Sequence, residues 1–200
     1  MSVRRRSEQS RQSTLSAALQ LCAEKEYAHV TVEAIAARAG VSKKTIYRWW
    51  PSKGAVLLEA VTEALIDATP FVDTGDVAAD LRTHMTGAVK LLTTPPFGPA
   101  YAGILSELHH DAALARAVQE EMIGPRFDAA LERLGSARRS GQLPEGADLP
   151  LMVEMLYGPL YYRYVLRKPI QGAAEVEKLI AHVLGAVGAL GGTGGAAPLN

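Results

Sequence analysis

Apolar residues recur along the chain at three- and four-residue spacings, which is the period of an amphipathic α-helix. The first stripe predicts a helix over about residues 8–25, and its apolar face contains Leu15, Ala18, Leu19 and Cys22. Nowhere do β-branched residues alternate with polar ones for more than a few positions, as they would in a strand. The pattern therefore predicts an all-α protein.

Further helices are predicted where the same period continues between glycine and proline breaks. They cover about residues 53–68, 77–93, 100–109, 111–123, 125–140, 148–166 and 173–190. The proline-rich run at residues 95–99 predicts a firm break, because proline lacks an N–H and its ring crowds the preceding turn. The glycine-rich residues 191–200 predict a disordered tail.

Two short helices near the N-terminus are separated by a turn that the sequence specifies twice. Thr31 can cap the first helix, Gly40 can take the positive φ that ends it, and Ser42 can cap the second, over about residues 43–49. Val41 and Ile46 flank that cap at the spacing of a hydrophobic staple, which fixes how the chain enters the second helix. These signals predict a helix-turn-helix.

The net charge of zero hides a division along the chain. Residues 1–54 contain ten Lys or Arg and four Asp or Glu, a net charge of +6, whereas residues 55–200 carry −6. A basic module on an acidic body favours a polyanion as the partner of the front part, although uneven surface charge alone is the other reading.

The composition excludes several classes of protein. Cys22 is the single cysteine and lies on an apolar stripe, so a disulfide framework and a multi-cysteine zinc site are excluded. Charged residues interrupt the apolar runs before they reach the length of a bilayer span, and no apolar segment follows the basic N-terminus as in a signal peptide. We therefore expect a soluble, cytoplasmic protein.

The second helix of the turn has the chemistry of a major-groove reader. It is short, basic and narrow enough for a groove roughly 12 Å wide. Its long donors suit base edges, and its hydroxyl groups suit phosphate oxygens. Lys53, with the backbone N–H groups that open the next helix, would form a phosphate site. The alternative is a solvated basic helix in an ordinary bundle.

Residues 31–53, TVEAIAARAGVSKKTIYRWWPSK, closely resemble the helix-turn-helix signature of TetR family transcriptional regulators. The resemblance covers roughly residues 14–60, and the remainder is similar only as a helical body of suitable length. Together with the helix chemistry, it implies base reading by Lys43, Lys44 and Arg48. It implies phosphate contacts by Thr31, Ser42, Thr45, Tyr47, Trp49 and Lys53.

Two positions depart from the family pattern. Lys44 stands where the family often has a small residue or proline, so it can add a charged contact to DNA. Trp50 replaces the usual phenylalanine, and we interpret it as a larger plug between the DNA-binding head, residues 1–54, and the next helix. Trp49 either lies along the sugar-phosphate backbone or covers the head.

Basic residues before and within the first predicted helix form a candidate arm. The arm contains Arg4, Arg5, Arg6 and Arg11. It either enters a minor groove and neutralises phosphates or is a disordered, solvated tail.

The body supplies candidate ligand-binding residues, which are large and adaptable side chains suited to an apolar ligand. They are Met85, Phe97, Tyr101, Leu105, Met122, Phe127, Tyr157 and Tyr161. Tyr157, Tyr161 and Tyr164 form a stripe beside Pro159, where a kink is expected. Such a stripe suits a ligand cavity or a subunit interface, and plain core packing explains it equally well.

The last predicted helix carries a continuous apolar face, and Gly185 and Gly188 would allow another helix to approach closely. By resemblance, the final two long helices pair with their copies in a dimer. The predicted interface contains Tyr164, Val176, Leu179, Ile180, Val183, Leu184 and Val187. A two-fold dimer implies a roughly palindromic operator.

Catalysis and metal binding have little support in the sequence. In His109-His110-Asp111, neighbouring side chains on a helix point about 100° apart, so a capping or surface role is favoured over a metal site. We expect no catalytic residue, metal or cofactor.

The sequence thus predicts three parts: a DNA-binding head with its basic arm at 1–54, a ligand-binding and dimerisation body at 55–190, and a tail at 191–200. The predicted function is that of a homodimeric transcriptional repressor released from its DNA operator by a small, largely apolar effector. The alternative is a helical small-molecule-binding protein or enzyme whose basic head contacts a protein partner.

Overall fold

A computed structural model describes residues 3–170 and 172–191, and within them the regular structure is helical, without strands. The α-helices are α1 (Val3–Glu24), α2 (Val32–Ala39), α3 (Lys43–Tyr47), α4 (Lys53–Ala68), α5 (Val77–Thr93), α6 (Phe97–Glu107), α7 (Ala112–Ala117), α8 (Gly124–Arg139), α9 (Leu149–Val165) and α10 (Ala173–Gly191). A 3₁₀ turn covers Tyr27–His29, and a π-helical segment covers Val118–Ile123. The predicted all-α class is confirmed.

Contacts divide the helices into two compact units. Unit 1 contains the residues up to Ala68 together with Leu91–Ile123. Its core joins the helix-turn-helix to α4 and α6, because Ile46, Leu57 and Ile104 bury their side chains in one cluster. Each such side chain contributes about 1.5–3 kcal/mol through the removal of apolar surface from water.

Unit 2 contains Thr69–Lys90 together with the residues from Gly124 onward. Its core is built from α5, α8, α9 and α10, whose apolar stripes meet around Met85, Leu134 and Met152. Inside this unit, Arg133 forms a buried ion pair with Asp80, which also accepts hydrogen bonds from Thr74. Although burial alone would raise the pKa of Asp80, these donors hold it below its ordinary value.

The compact units do not divide at residue 54, where the sequence predicted the head to end. α4 buries Val56 and Leu57 in the same cluster as Ile46 of α3, so the helix-turn-helix shares its core with the helix that follows. The predicted tail lies outside the described residues from 192 onward, and Gly191 is the last residue of α10.

Several predicted helix boundaries shift. α1 begins at Val3 rather than near residue 8. α6 begins at Phe97 and includes Pro99 in its first turn. The N–H groups of a helix's first turn have no carbonyl partner within the helix, so a proline there costs no helical hydrogen bond. The helix predicted over residues 111–123 is α7 followed by the π-helical segment, and α9 continues through Pro159.

The apolar face of α10 lies in the core of unit 2, which corrects part of the predicted dimer interface. Val176, Ile180, Val183 and Val187 are all buried within the single chain. Their surfaces are covered by the chain's own helices, so they have little area left for a second copy. Leu179, Leu184 and Tyr164 keep partly exposed side chains.

The predicted ligand-binding residues belong to two different cores. Phe97, Tyr101 and Met122 lie in or against the core of unit 1, and Leu105 of α6 is half-buried. Met85, Phe127 and Tyr157 lie in or against the core of unit 2, and the Tyr161 side chain is 49% exposed. Their role in ligand binding stays a prediction.

Candidate nucleic-acid interface

Local capping builds the helix-turn-helix. The Thr31 hydroxyl accepts from the Ala34 N–H at 3.2 Å, and the Ser42 hydroxyl accepts from the Thr45 N–H at 3.1 Å. Gly40 between the two helices adopts a φ of 68°, a left-handed conformation that a side chain would strain. The capping roles that the sequence assigned to these residues are therefore confirmed.

The turn is held against the core of unit 1 by apolar contacts on both sides of Ser42. Ile46 is fully buried, and Val41 packs half-buried against the same cluster. The helical period then turns the polar side chains of α3 to the opposite face. The sequence therefore orients α3 with its basic side outward.

The outward face of α3 forms an open concavity. It is lined by Ser42, Lys44, Thr45, Tyr47 and Arg48. These five residues all belong to the set predicted to contact DNA, and the Tyr47 side chain is 54% exposed. Because cations and hydroxyl groups share this surface, it can offer donors to base edges and phosphate oxygens together.

Two of the cations on α3 have neighbours that orient them. Lys43 Nζ lies 2.9 Å from Glu33 Oε1 of α2, and this hydrogen bond raises the pKa of Lys43. Both side chains are more than half exposed, so the pair contributes little stability and can open at little cost. The Arg48 guanidinium lies 5.1 Å from the centre of the Trp49 ring, a cation–π contact.

The paired tryptophans close the end of α3. Trp50 is buried, as the plug interpretation predicted, and its indole N–H donates to Glu59 Oε2 of α4 at 2.5 Å. Trp49 packs half-buried on the same core, with its ring 5.3 Å from that of Trp50 in an edge-on arrangement. Trp49 thus covers the helix-turn-helix, which is one of the two positions predicted for it, and the residue stays partly exposed.

Lys53 is turned into unit 1 rather than outward. Its ammonium donates to the carbonyl oxygens of Tyr27 at 2.9 Å and Val30 at 3.0 Å, and it lies 4.2 Å from the centre of the Tyr27 ring. These contacts fix the 3₁₀ turn between α1 and α2 to the start of α4. The structure thus gives the Lys53 ammonium internal contacts, and the phosphate contact expected of it stays a prediction.

Arg11 likewise makes internal contacts. Its guanidinium pairs with Glu59 and, at 2.7 Å, with Glu63 of α4. Hydrogen bonds with Glu8, Glu63 and Glu59 raise the pKa of Arg11. Arg11 is therefore not part of a free arm. Arg5 and Arg6 are exposed on α1, and the side chain of Arg4 lies outside the described part of the structure.

Two polar features outside the helix-turn-helix have structural roles. Asp111 caps α7 by accepting from the Leu114 N–H at 2.9 Å, and His109 and His110 are exposed beside it, as predicted. Burial raises the pKa of Cys22 to about 11, so the thiol stays protonated and unreactive in the core.

Sequence reasoning missed the partners of these side chains. Glu59 accepts from both Trp50 and Arg11, and no local pattern marks it, because its partners lie far from it in the sequence. Glu33 of α2 pairs with Lys43 across the turn, a contact that the sequence analysis did not predict.

In residues 3–170 and 172–191, no helix has the length and apolarity needed to cross a membrane.

Two family models match the chain. Residues 15–60 match the model described as bacterial regulatory proteins of the tetR family. Residues 71–183, more than half of the chain, match the model described as tetracyclin repressor-like C-terminal domain. The first match contains the whole helix-turn-helix, and the second covers most of the remaining helices.

Individual relatives match over most of their length. An uncharacterized HTH-type transcriptional regulator, YdeS of Bacillus subtilis, is 32% identical over 95% of this chain and 96% of its own. The DNA-binding transcriptional repressor TetR of Mycobacteroides abscessus is 31% identical over 85% of this chain and 89% of its own. The solved structure of the TetR family transcription regulator SCO0332 is 34% identical, with a TM-score of 0.76, over 89% of this chain and 98% of its own.

These matches bear on the alternatives that the sequence left open. The relatives and the family are transcriptional regulators rather than enzymes, which removes the alternative of a helical enzyme. One match covers the capped helix-turn-helix and the first half of α4, and the other covers residues 71–183, so the two matches include both the DNA-binding part and the body. The chain therefore belongs to the TetR family of DNA-binding transcriptional regulators.

Proposed function

We propose that this regulator is a homodimeric repressor that reads a palindromic operator with α3 and is released by a small-molecule effector. The observation that carries the proposal is the outward face of α3, where cations and hydroxyl groups line one open concavity on a doubly capped helix. A short helix presented in this way fits a major groove roughly 12 Å wide.

All but one of the predicted contact residues have a proposed role that is consistent with their position. Base reading falls to Lys43 and Lys44 of α3 and to Arg48 directly after it, and all three side chains are exposed. Ser42, Thr45 and Tyr47 provide hydroxyl groups for phosphates around the bases, and Thr31 does so from the start of α2. Trp49, which is partly exposed, adds a further contact to the backbone. Lys53 is left out of this set because its ammonium already donates to two carbonyl oxygens.

Dimerisation is supported by exposed apolar side chains on α9 and at its end. They are Leu151, Met155, Tyr161, Tyr162, Val165 and Leu166, each between 37% and 54% exposed. α10 adds a face of small exposed residues that includes Ala181, Gly185 and Gly188. Apolar patches of this kind mark interaction surfaces, and small residues allow helices to approach closely.

Repression is proposed because the relative from Mycobacteroides abscessus is described as a repressor and matches over 85% of this chain. Release requires an effector that binds better to a conformation in which the two heads do not fit adjacent half-sites. We place the effector in unit 2, whose core is largely apolar, and the regulator in the cytoplasm, where its operator lies.

The test is selection of binding sequences from a random DNA pool with the full chain. We expect enrichment of a palindrome whose half-sites lie about one helical turn apart, because two copies of α3 must enter successive major grooves. Enrichment of a single, non-repeated half-site would contradict the dimeric arrangement. Failure to enrich any sequence at low salt would contradict operator reading by α3.

A further inference from the structure

Arg126 of α8 is a half-buried cation without an acidic partner. Its Nη2 group donates to the Thr69 carbonyl oxygen at 3.0 Å and to the Thr69 hydroxyl, and the guanidinium also hydrogen-bonds to the Tyr157 hydroxyl. All of these partners are neutral. Among residues 3–170 and 172–191, no carboxylate forms an ion pair with Arg126.

A chain of hydrogen bonds runs away from Arg126. The Pro70 carbonyl can only accept, so His84 Nδ1 donates to it at 3.4 Å and His84 Nε2 is left to accept from the Tyr157 hydroxyl. The Tyr157 oxygen in turn accepts from Arg126. Each acceptor near the guanidinium is therefore a dipole, and none supplies a negative charge.

The neighbouring ionisable groups are neutral at physiological pH. Burial, together with nearby Arg126, lowers the pKa of His84 to about 4, and burial raises the pKa of Tyr157 to about 12. Burial also lowers the pKa of Arg126, which still stays charged. The cluster thus carries one uncompensated positive charge.

An aromatic surface adjoins this charge. The Arg126 guanidinium carbon lies 5.4 Å from the centre of the Phe71 ring, and the His84 ring stacks on Phe71 with the ring centres 3.9 Å apart. Arg126, Phe71 and Tyr157 each keep part of their surface exposed, whereas His84 is buried. A ligand that reaches the guanidinium therefore has two partly exposed aromatic side chains, Phe71 and Tyr157, beside it.

Arg133 is a buried arginine of the same unit whose charge, unlike that of Arg126, is balanced by a carboxylate. It lies seven residues after Arg126 on α8, which places both side chains on one face of the helix. Arg133 receives the carboxylate of Asp80 from α5, whereas four residues later α5 presents neutral His84 near Arg126. The position that would neutralise Arg126 is thus held by a neutral ring.

We propose that Arg126 anchors the carboxylate of a small organic acid whose apolar, preferably aromatic, part lies against Phe71 and Tyr157. This inference deepens the proposed function, on which it rests, by giving the effector class as an aromatic or aliphatic monoanion. A guanidinium binds a carboxylate with two parallel hydrogen bonds, and ion pairing offsets the cost of the buried cation. A monoanion matches the single charge, whereas a dianion would leave one charge uncompensated.

The test measures binding of benzoate and octanoate to the full chain by calorimetry, with benzamide as a neutral probe of the same shape as benzoate. The variants are Arg126→Gln, which removes the charge, and Arg126→Lys, which keeps the charge and loses the planar fork. Arg138→Gln, an exposed arginine on the same helix, is the matched control. Thermal unfolding of each variant shows that it is folded.

We expect at least one carboxylate to bind the wild type and Arg138→Gln with equal affinity, at least tenfold more tightly than Arg126→Gln, with Arg126→Lys between them. Benzamide should not distinguish Arg126→Gln from the wild type. The proposal is overturned if both carboxylates fail to bind, or if Arg126→Gln binds them within twofold of the wild type. It is equally overturned if the Arg138→Gln control loses as much affinity.

Operator binding measured on the same preparations separates this site from the proposed function. If a carboxylate binds through Arg126 without changing operator affinity, the site stands and the proposed release by this effector fails. If neither carboxylate binds while the operator is still bound, the site fails and DNA recognition stands.

Discussion

Replacement of Lys53 by methionine distinguishes an internal role from a DNA contact. Methionine keeps most of the apolar stem but cannot donate to the carbonyl oxygens of Tyr27 and Val30. The variant therefore loosens the junction between the 3₁₀ turn and α4 without changing the outward face of α3. We expect it to destabilise unit 1.

The size of the effect follows from the contacts. A buried hydrogen bond from a charged donor contributes about 1.5–3 kcal/mol. Because Lys53 is half-buried, we halve this value for each of its two bonds, so that the pair together contributes about 1.5–3 kcal/mol. The cation–π contact with Tyr27 adds about 0.5 kcal/mol. The free energy of unfolding should therefore fall by about 2–3.5 kcal/mol.

Urea unfolding and salt-dependent operator titration test the two roles together. Lys44→Met is the control, because Lys44 is exposed on α3 and should change the free energy of unfolding by less than about 0.5 kcal/mol while weakening operator binding. Lys53→Met should leave the slope of log K against log salt unchanged. Unchanged stability with a slope reduced by about one unit would refute the internal role and restore the phosphate contact.

Three further predictions concern packing, pH and assembly. Gly103→Ala should destabilise unit 1 by about 1–3 kcal/mol in urea unfolding, because the new methyl would lie 2.6 Å from Tyr27 Cβ, whereas Gly146→Ala meets nothing within 4 Å and should change little. The pKa of His84 lies below its unfolded value, so stability is full above about pH 6.5 and falls by on the order of 3 kcal/mol as the pH drops to about 4. In urea unfolding measured across this pH range, the His84→Gln variant should not show this loss of stability. An equal loss in the variant would refute the assignment of the pH dependence to His84. Val165→Glu should convert the dimer to a monomer in sedimentation, and an intact dimer would show that α9 does not form the interface.

The helix-turn-helix was predictable because its signals are local. Thr31, Gly40 and Ser42 act on backbone groups within a few residues, so their capping roles follow from sequence spacing alone. The burial of Ile46 follows from the helical period, whereas the burial of Trp50 was expected from the resemblance to the family. The resemblance to the family then predicted which face of α3 meets DNA.

The inward contacts were not predictable because they depend on distant parts of the chain. Lys53 meets carbonyl groups more than twenty residues earlier, and Arg11 meets carboxylates of α4. An apolar stripe such as that of α10 shows that a helix buries one face, but its period is the same whether its own core or a second copy covers it. For that reason Val176 and Ile180 were assigned to the wrong partner.

The specificity ratio of operator binding tests the central claim most directly. It is the affinity for the selected operator divided by the affinity for an unrelated duplex, measured at one salt concentration for the wild type and for Lys43→Ala/Lys44→Ala. The account predicts a wild-type ratio of about 10³ or more and a loss of roughly tenfold or more in the double variant. A double variant that binds both duplexes more weakly by the same factor, and so keeps the ratio, would contradict base reading by α3.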